Sequence, residues 1–363
     1  MTNFFERPAI HDLKGYAAGD QPSKPVPAKL NTNENPYPPA AAVMDALHHI
    51  TDEMLRRYPS PSAAAFRQCA AAVHGVSPNN IIATNGGDEL LRLAITTFVE
   101  PTGSIGLVNP TYSLYRVLGA IHGSTVHEVE LNLDWTLPDN FAEEMREANV
   151  SLIILANPHA PSGYLLPLQE LQRLADTVSS VVLIDEAYVD FIDPELKWDS
   201  IRLICEHENV LLLRTLSKGY SLAGLRFGYG IGSPSLITPM SSKAKDSYNV
   251  DVVAQTLAIA ALNSMNYARE SWRRVRAERN RIKVELARLG IHCPESRSNF
   301  LLATIPSTIK FDARALYERL RTEGILVRYF DAPRLTDKLR ITIGRPEEND
   351  LLLAAFRCYF SKS

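Results

Sequence analysis

The chain has 363 residues, of which 45% are hydrophobic, and its formal net charge is −3 at pH 7. This length is enough to bury a large core and favours about two domains, and the balanced charge argues against a surface built for nucleic acid or an anionic membrane. The sequence shows neither a secretory signal nor an apolar run of 18 residues, so no membrane span is expected.

The four cysteines are scattered along the chain and form no local cluster with histidine. We therefore expect neither a metal site nor a disulfide framework. Dispersed thiols are typical of a reducing compartment, which predicts a cytoplasmic location.

Residues 1–39 are predicted to form an extended N-terminal arm. This segment carries seven of the 23 prolines and lacks the periodicity of a helix or a strand. Ile10, Leu13 and Tyr16 argue against a disordered tail, because disordered segments are typically poor in large apolar residues.

Residues 40–245 are predicted to form a large α/β domain. Short runs rich in Ile, Val and Leu alternate with stretches of helical pattern, which is typical of a parallel sheet covered by helices. The strand candidates are residues 80–84, 104–108, 151–155, 181–184, 209–213 and 227–231.

Residues 246–363 are predicted to form a small α+β domain. A long helix over residues 267–289 should end at Gly290. Its many arginines are interleaved with glutamates and an apolar stripe, which indicates a salt-bridged outer face and not a nucleic-acid site. The remaining candidates are strands over 299–305, 325–330 and 339–344, a helix over 313–323 and a helix from Pro346.

Polar or glycine-rich clusters follow several predicted strands, where an open parallel sheet binds its ligands. Gly87 and Asp88 precede a helical segment whose backbone N–H groups could bind a phosphate, although an ordinary glycine turn would also explain them. Tyr112 and Asn157 follow two other strands and could contact a planar ligand. Taken alone, a core tyrosine and a proline-rich loop are equally good interpretations.

Asp185 and Lys218 carry a more specific chemical signal. A carboxylate at the end of a buried strand is costly unless it meets a donor or a cation, such as a pyridinium nitrogen or a structural arginine. A lysine that loses its hydration has a lowered pKa and becomes a nucleophile for carbonyl groups. The neighbouring Thr215, Ser217 and Arg226 offer hydroxyl groups and a guanidinium that suit a phosphate.

In this order, the motifs resemble the fold-type I pyridoxal-phosphate enzymes, the aspartate aminotransferase superfamily, and within it most of all the histidinol-phosphate aminotransferases. The resemblance covers nearly the whole chain. It implies a mostly parallel seven-stranded sheet flanked by helices, pyridoxal phosphate as cofactor, and a homodimer with shared active sites. The motifs that carry it are LNTNENPYPP, NGGDELL, NPTYSLY, NPHAPSG, LIDEAYVDF, RTLSKGYSLAGLRFGY, SNFLL and LRITIG.

The resemblance also implies roles for residues around the cofactor. Lys218 would hold it as a Schiff base and shuttle a proton, and Asp185 would pair with its ring nitrogen. Asn157 and Tyr188 would hydrogen-bond the ring's phenolate oxygen, and Tyr112 would stack on the ring. The residues expected near its phosphate are Gly87, Asp88, Thr215, Ser217, Arg226 and Tyr58, the last one reaching the cofactor of a neighbouring subunit.

For the substrate, the resemblance implies a carboxylate clamp at Arg340, since a bidentate arginine suits that group. Arg328 is the candidate for a distal phosphate, and Asn35 and Tyr16 would line the pocket. Both arginines could instead be structural.

The predicted reaction is ping-pong amino transfer between histidinol phosphate and 2-oxoglutarate. Aromatic amino acids are alternative substrates, because they also place a flat ring in the pocket. A decarboxylase acting on threonine phosphate could use the same scaffold, and a pyridoxal-phosphate-binding regulatory module is a non-enzymatic alternative.

Two motifs depart from the family pattern. The usual NPNNPTG loop is NPHAPSG here, so His159, Ala160 and Ser162 replace common residues while Asn157 is retained. The NENP motif is followed by Tyr-Pro-Pro instead of Tyr-Gly-Pro. Because the second loop is expected near the substrate, the sequence leaves the side-chain preference open.

Overall fold

The structure is a computed structural model that describes residues 5–360. Its strands are β1 (Ala28–Lys29), β2 (Ile81–Thr84), β3 (Ser104–Asn109), β4 (Thr125–Glu130), β5 (Leu152–Ala156), β6 (Val181–Asp185), β7 (Val210–Thr215), β8 (Gly228–Gly232), β9 (Phe300–Thr304), β10 (Ile325–Leu326), β11 (Arg328–Tyr329) and β12 (Lys338–Thr342). Its α-helices are α1 (Pro8–His11), α2 (Ala41–His48), α3 (Asp52–Leu55), α4 (Ala64–His74), α5 (Gly86–Phe98), α6 (Leu114–His122), α7 (Phe141–Glu147), α8 (Leu168–Thr177), α9 (Ile201–Glu206), α10 (Pro234–Pro239), α11 (Val252–Asn263), α12 (Met265–Arg288), α13 (Ala313–Thr322) and α14 (Pro346–Phe360).

A seven-stranded sheet forms the centre of the larger part of the molecule. Its strand order is β2-β8-β7-β6-β5-β3-β4, and only β8 runs antiparallel to its neighbours. Helices cover both faces, because alternate residues of a central strand point to different cores: Leu152 and Ile154 to one, Ile153 and Leu155 to the other. The prediction of a mostly parallel seven-stranded sheet flanked by helices is confirmed.

The edge strand β4 lacked a sequence signal. Four of the six residues in its sequence TVHEVE are polar, and of its residues only Val129 is buried. An edge strand that faces solvent needs no continuous apolar run, so the pattern used for the central strands does not find it.

The C-terminal part contains a three-stranded antiparallel sheet of order β11-β12-β9. The single strand expected over 325–330 is interrupted at Val327: β10 pairs in parallel with β1 of the N-terminal arm, whereas β11 pairs with β12. The arm is thereby attached to the C-terminal part. The domain limits 1–39, 40–245 and 246–363 stay predictions, and residues 1–4 and 361–363 lie outside the described residues.

The long helix α12 ends as the sequence predicts. Gly290 adopts φ 77°, and the N–H of Ile291 bonds the carbonyl of Leu286, which closes the helix end with a left-handed glycine. Arg279 is an exception to the expected solvated face. It is 2% exposed and is bonded to Asp193 at 2.7 Å, so it ties the helix to the region that follows β6.

Within residues 5–360, none of the helices combines the length and the apolar composition needed to cross a membrane.

Candidate active site

The carboxyl ends of β2, β3, β5, β6 and β7 meet at one edge of the large sheet, where they border a cavity of about 390 Å³. Twelve of the fifteen predicted site residues lie on its wall. They are Tyr16, Gly87, Asp88, Tyr112, Asp185, Tyr188, Thr215, Ser217, Lys218, Arg226, Arg328 and Arg340. The sequence therefore located the cavity, although its residues come from distant segments.

Lys218 follows β7 and extends its amine into this cavity. Its Nζ donates a hydrogen bond of 2.9 Å to the carbonyl oxygen of Thr32, in the segment after β1. Burial, and to a lesser extent the positive charge of Arg340, lower the pKa of Lys218 to about 8. About a tenth of the amine is then uncharged at pH 7 and can act as a nucleophile or a base.

Asp185 is the last residue of β6 and is buried. Its Oδ1 accepts a 3.0 Å hydrogen bond from the N–H of Ala187, and its Oδ2 accepts a 2.7 Å hydrogen bond from the Tyr115 hydroxyl. Burial raises the pKa of Asp185 to about 6, against these two hydrogen bonds, which lower it. The group is therefore mostly a carboxylate at neutral pH and can face a cation.

The start of α5 and Arg226 form a cradle for an anion. Arg226 takes a left-handed backbone conformation (φ 55°), and its guanidinium lies beside Gly86 and 3.4 Å from a carboxylate oxygen of Asp88. Gly86 adopts φ 77°, a backbone conformation that favours glycine, and a Cβ there would lie 2.8 Å from the end of the Arg226 side chain. The free N–H groups of a helix start and an arginine together suit a phosphate.

Two hydroxyl groups border this cradle. Thr215 is the last residue of β7, and its Oγ1 accepts a 3.1 Å hydrogen bond from the N–H of Ser217. Arg226 lies 3.4 Å from the Ser217 hydroxyl. The three side chains therefore converge on one region of the cavity.

Tyr188 forms another part of the wall. Its hydroxyl accepts a 3.0 Å hydrogen bond from the amide of Asn33, which itself accepts one of 2.9 Å from Thr342. Burial raises the pKa of Tyr188, so its hydroxyl stays protonated and remains a donor for a ligand oxygen. These two hydrogen bonds, from Thr342 to Asn33 and from Asn33 to Tyr188, join β12 to the segment that follows β6.

Tyr112 and Tyr16 form an aromatic wall. Their rings are in edge-to-face contact with centroids 5.3 Å apart. Tyr16 belongs to the N-terminal arm, which therefore reaches the cavity as expected. A flat ligand ring can stack on such a surface.

Two arginines from the small antiparallel sheet complete the wall. Arg340 is bonded to the Asn31 carbonyl at 3.0 Å, yet its Nε is buried and has no hydrogen-bond partner among the described residues. Arg328 donates hydrogen bonds to the carbonyls of Ala17 and Ala18 at 2.8 and 3.1 Å, and thereby holds the arm over the cavity.

Three predicted residues do not line the cavity. The side chain of Asn157 is buried against the backbone of Leu166, with bonds of 2.8 and 3.3 Å. Asn35 bonds the Gly219 carbonyl and the Ser271 hydroxyl, both at 3.2 Å, and so supports the segment after Lys218. Tyr58 is 81% exposed.

Asn33 and Tyr115 are among the polar side chains of the cavity wall that sequence reasoning missed. Asn33 lies two residues before Asn35 in the same motif, and no local pattern distinguishes the two. Tyr115 had a usable signal, because it lies one helical turn after Tyr112 at the start of α6.

The residues present fit pyridoxal phosphate, the cofactor expected from the sequence. The glycine-dependent cradle at Gly86 fits a phosphate, and the carboxylate of Asp185 fits a protonated ring nitrogen. The partnerless Nε of Arg340 fits an anionic substrate group, since a buried donor without a partner is costly.

Comparisons with known proteins agree with this arrangement. The family model "Aminotransferase class I and II" matches residues 26–356. The histidinol-phosphate aminotransferase 1 of Trichormus variabilis is 41% identical over 98% of this chain and 99% of its own length, and the histidinol-phosphate aminotransferase of Microcystis aeruginosa is 41% identical over 97% of each.

Among solved structures, the histidinol-phosphate aminotransferase of Sinorhizobium meliloti in complex with pyridoxal-5'-phosphate has a TM-score of 0.90. It is 26% identical in sequence, and the match covers 100% of this chain and 98% of that one. Because the family model matches far more than half of its length, this chain belongs to the aminotransferase class I and II family and is a transaminase.

Proposed function

We propose that this chain transfers an amino group between histidinol phosphate and 2-oxoglutarate, with pyridoxal phosphate held on Lys218. The observation that carries the proposal is the cavity itself, whose wall brings together the Lys218 amine and the Asp185 carboxylate. The names of relatives that are about 40% identical over nearly the whole chain support this substrate.

The cofactor would be held by the residues of the cavity wall. Lys218 would bind its aldehyde carbon, Asp185 would face its ring nitrogen, Tyr188 its phenolate oxygen, and the cradle at Arg226 its phosphate. When bound, pyridoxal phosphate supplies an electron sink for a bond broken at the substrate's α-carbon. Asn157 does not border the cavity. Its amide, which is bonded to the backbone of Leu166, would support the cavity wall from behind.

Lys218 would act as the base for the substrate. Its lowered pKa of about 8 keeps part of the amine uncharged, so Nζ can accept a proton from the α-carbon and return it elsewhere. Tyr112 would stack on the cofactor ring, and Tyr16, in edge-to-face contact with it, would line the substrate's imidazole and exclude water from the reacting atoms.

The paired arginines suit both substrates. In histidinol phosphate, a CH2–O–phosphate group replaces the carboxylate that an amino acid carries on its α-carbon. Arg340 can therefore serve the carboxylate of glutamate and the phosphate of histidinol phosphate, and Arg328, which lies opposite it, adds a second guanidinium for the dianion.

The test is a comparison of substrates with the purified chain and 2-oxoglutarate, by measuring glutamate formation. We expect kcat/KM for histidinol phosphate to exceed that for phenylalanine at least about a hundredfold, because the carboxylate of phenylalanine would pair with Arg340 and leave Arg328 without its phosphate partner. The reverse order would favour the aromatic alternative. Release of CO₂ from threonine phosphate without a keto-acid product would identify a decarboxylase.

The active sites would be shared between two subunits of a homodimer. Tyr58 stacks on Tyr248 at 4.4 Å, and this aromatic pair is exposed and lies away from the cavity of its own chain. An exposed aromatic pair suits a protein interface, where Tyr58 would reach the neighbouring cofactor phosphate. The cytoplasmic location stays a prediction from the sequence.

A further inference from the structure

Tyr115 is a core residue that forms a hydrogen bond with the Asp185 carboxylate. It is completely buried in the core between β3 and α6, yet its hydroxyl donates a 2.7 Å hydrogen bond to Asp185 Oδ2, and the residue borders the cavity. Two described residues hydrogen-bond the Asp185 carboxyl group: Tyr115 through this hydroxyl and Ala187 through its backbone N–H.

We propose that Tyr115 is a positioning residue that fixes the orientation of Asp185 and keeps its carboxylate charged for the ring nitrogen of the cofactor. The inference rests on the proposed function, because Tyr115 would support the interaction that is proposed there between Asp185 and pyridoxal phosphate.

The direction of the hydrogen bond supports this role. Burial raises the pKa of the Tyr115 phenol well above its ordinary value, so the hydroxyl keeps its proton and acts as a donor. The Ala187 N–H can only donate. Both bonds are therefore made to a carboxylate, which accepts at both oxygens, and they favour its charged form.

The position of the ring supports it as well. Tyr115 packs edge-on against Tyr112 with centroids 5.4 Å apart and an interplanar angle of 88°. It also lies in the core cluster that contains Ile105 and Leu118. A buried aromatic ring held on two sides has little freedom, so its hydroxyl oxygen is a fixed point for Asp185.

Other titratable groups act on Asp185 and are unchanged by the variants below. The charges of Asp88 and Glu186 raise its pKa. The other titratable groups that line the same cavity are Tyr16, Tyr112, Arg116, Glu128, Tyr188, Lys218, Arg226, Arg328 and Arg340. A change that follows removal of the Tyr115 hydroxyl alone can therefore be assigned to this bond.

The test measures cofactor affinity, not turnover. The full chain is stripped of cofactor, and the dissociation constant for pyridoxal phosphate is determined from absorbance between pH 5.5 and 8.5. In the unsubstituted chain, we expect affinity to weaken as the pH falls through the pKa of Asp185, because the protonated acid cannot pair with a cationic ring.

In the Tyr115→Phe variant, which keeps the ring, we expect this weakening of affinity at low pH, the acid limb of the profile, to move to higher pH by about one unit. Within that pH interval, binding should be up to tenfold weaker than in the unsubstituted chain. Asp185→Asn should remove the limb. Tyr229→Phe is the matched control, because it removes a buried hydroxyl that bonds His74 at 2.9 Å and does not border the cavity. It should leave the limb in place.

An acid limb in Tyr115→Phe that coincides with that of the unsubstituted chain, while Asp185→Asn abolishes it, would overturn the inference and leave the proposed function intact. If the unsubstituted chain does not bind pyridoxal phosphate, both fall. Should Tyr115→Phe not fold, 3-fluorotyrosine at position 115 gives the opposite test: its more acidic phenol is a stronger donor, so the limb must move to lower pH. No movement there would equally overturn the inference.

Discussion

Arg340 and Arg328 lie directly opposite each other in the antiparallel pairing of β12 with β11, and both border the same cavity. Residues opposite each other in a sheet point to the same face, where two like charges repel and destabilise the pairing. The proposed anionic substrate group, contacted by both guanidinium groups, would offset this repulsion.

Replacing Arg328 by glutamine should separate the two substrates. A phosphate dianion can use both arginines and a carboxylate needs one, so kcat/KM should fall roughly tenfold to a hundredfold for histidinol phosphate and much less for glutamate. Steady-state kinetics with each donor measure this difference. Arg340→Gln should impair both donors, and Arg319→Gln, on α13 outside the cavity, is the control.

Equal losses for both donors in Arg328→Gln would contradict this prediction. Arg328 also holds the carbonyls of Ala17 and Ala18, so such a result would mean that it acts by fixing the arm that carries Tyr16.

The pKa of Lys218 should control how fast the cofactor-free chain takes up pyridoxal phosphate. The amine reacts when it is uncharged, so the rate should rise with pH and approach its plateau above about pH 8. Arg340→Gln removes a neighbouring positive charge, which stabilises the ammonium form and raises the pKa. The midpoint must then move to higher pH.

Stopped-flow absorbance between pH 6.5 and 10 measures this midpoint, and Lys218→Ala should give no stable attachment at any pH. Arg319→Gln again serves as the control for loss of a charge outside the cavity. A midpoint that stays in place in Arg340→Gln would show that the charge of Arg340 does not set the reactivity of Lys218.

The sequence was sufficient to predict those candidate residues that follow buried strands, and the structure places them on one cavity. Asp185, Thr215 and Lys218 each come at or just after an apolar run, and parallel strands bring their carboxyl ends to one edge. The information for these positions is local in the chain, so it could be interpreted without a structure.

The remaining contacts depend on segments that are distant in the chain. Asn33 meets Tyr188, and Tyr115 meets Asp185, only after the sheet and the arm have assembled. In the motif NTNEN, the backbone of the folded chain decides that Asn33 borders the cavity and Asn35 supports Gly219. Side-chain type and spacing carry no information about that choice.

Gly219, next to Lys218, should not tolerate a side chain. A Cβ there would lie 2.0 Å from Asp190 Oδ2 and 2.6 Å from its Cγ, so the Asp190 carboxyl would have to move within a packed interior. Overpacking of this kind costs about 1–3 kcal/mol, so Gly219→Ala should lower the melting temperature by several degrees. It should also weaken cofactor retention, because the displaced backbone carries Lys218.

Gly224→Ala is the matched control, because a Cβ at Gly224 would meet no atom within 4 Å. Its unfolding temperature should equal that of the unsubstituted chain. A second variant, Gly219→Ala with Asp190→Ala, removes the contacts with Asp190 Oδ2 and Cγ and leaves only that with Cβ at 2.8 Å, so it should recover part of the loss if the carboxyl group is its cause. The melting temperature is measured by differential scanning fluorimetry with and without pyridoxal phosphate.

His159, in the loop that departs from the family pattern, should make stability depend on pH. Its ring is buried: Nε2 lies 2.9 Å from the Pro110 carbonyl oxygen and must donate to it, so Nδ1 accepts from the Ser162 hydroxyl at 2.8 Å. The ring thus links the loop of Asn157 to that of Tyr112. Burial lowers the pKa of His159 to about 4, below the value of about 6.5 in an unfolded chain.

Because the folded pKa is the lower one, the neutral ring's contribution is fully present above about pH 6.5 and is lost as the pH falls towards 4, by up to about 3 kcal/mol. Glutamine at this position can donate to Pro110 and accept from Ser162 without titrating. As the pH is lowered from 7 to 4.5, the melting temperature of His159→Gln should therefore rise relative to that of the unsubstituted chain. His48→Gln, at an exposed site, should follow the unsubstituted chain. A constant difference between the His159→Gln and unsubstituted melting curves across this range would mean that His159 does not bury a neutral ring.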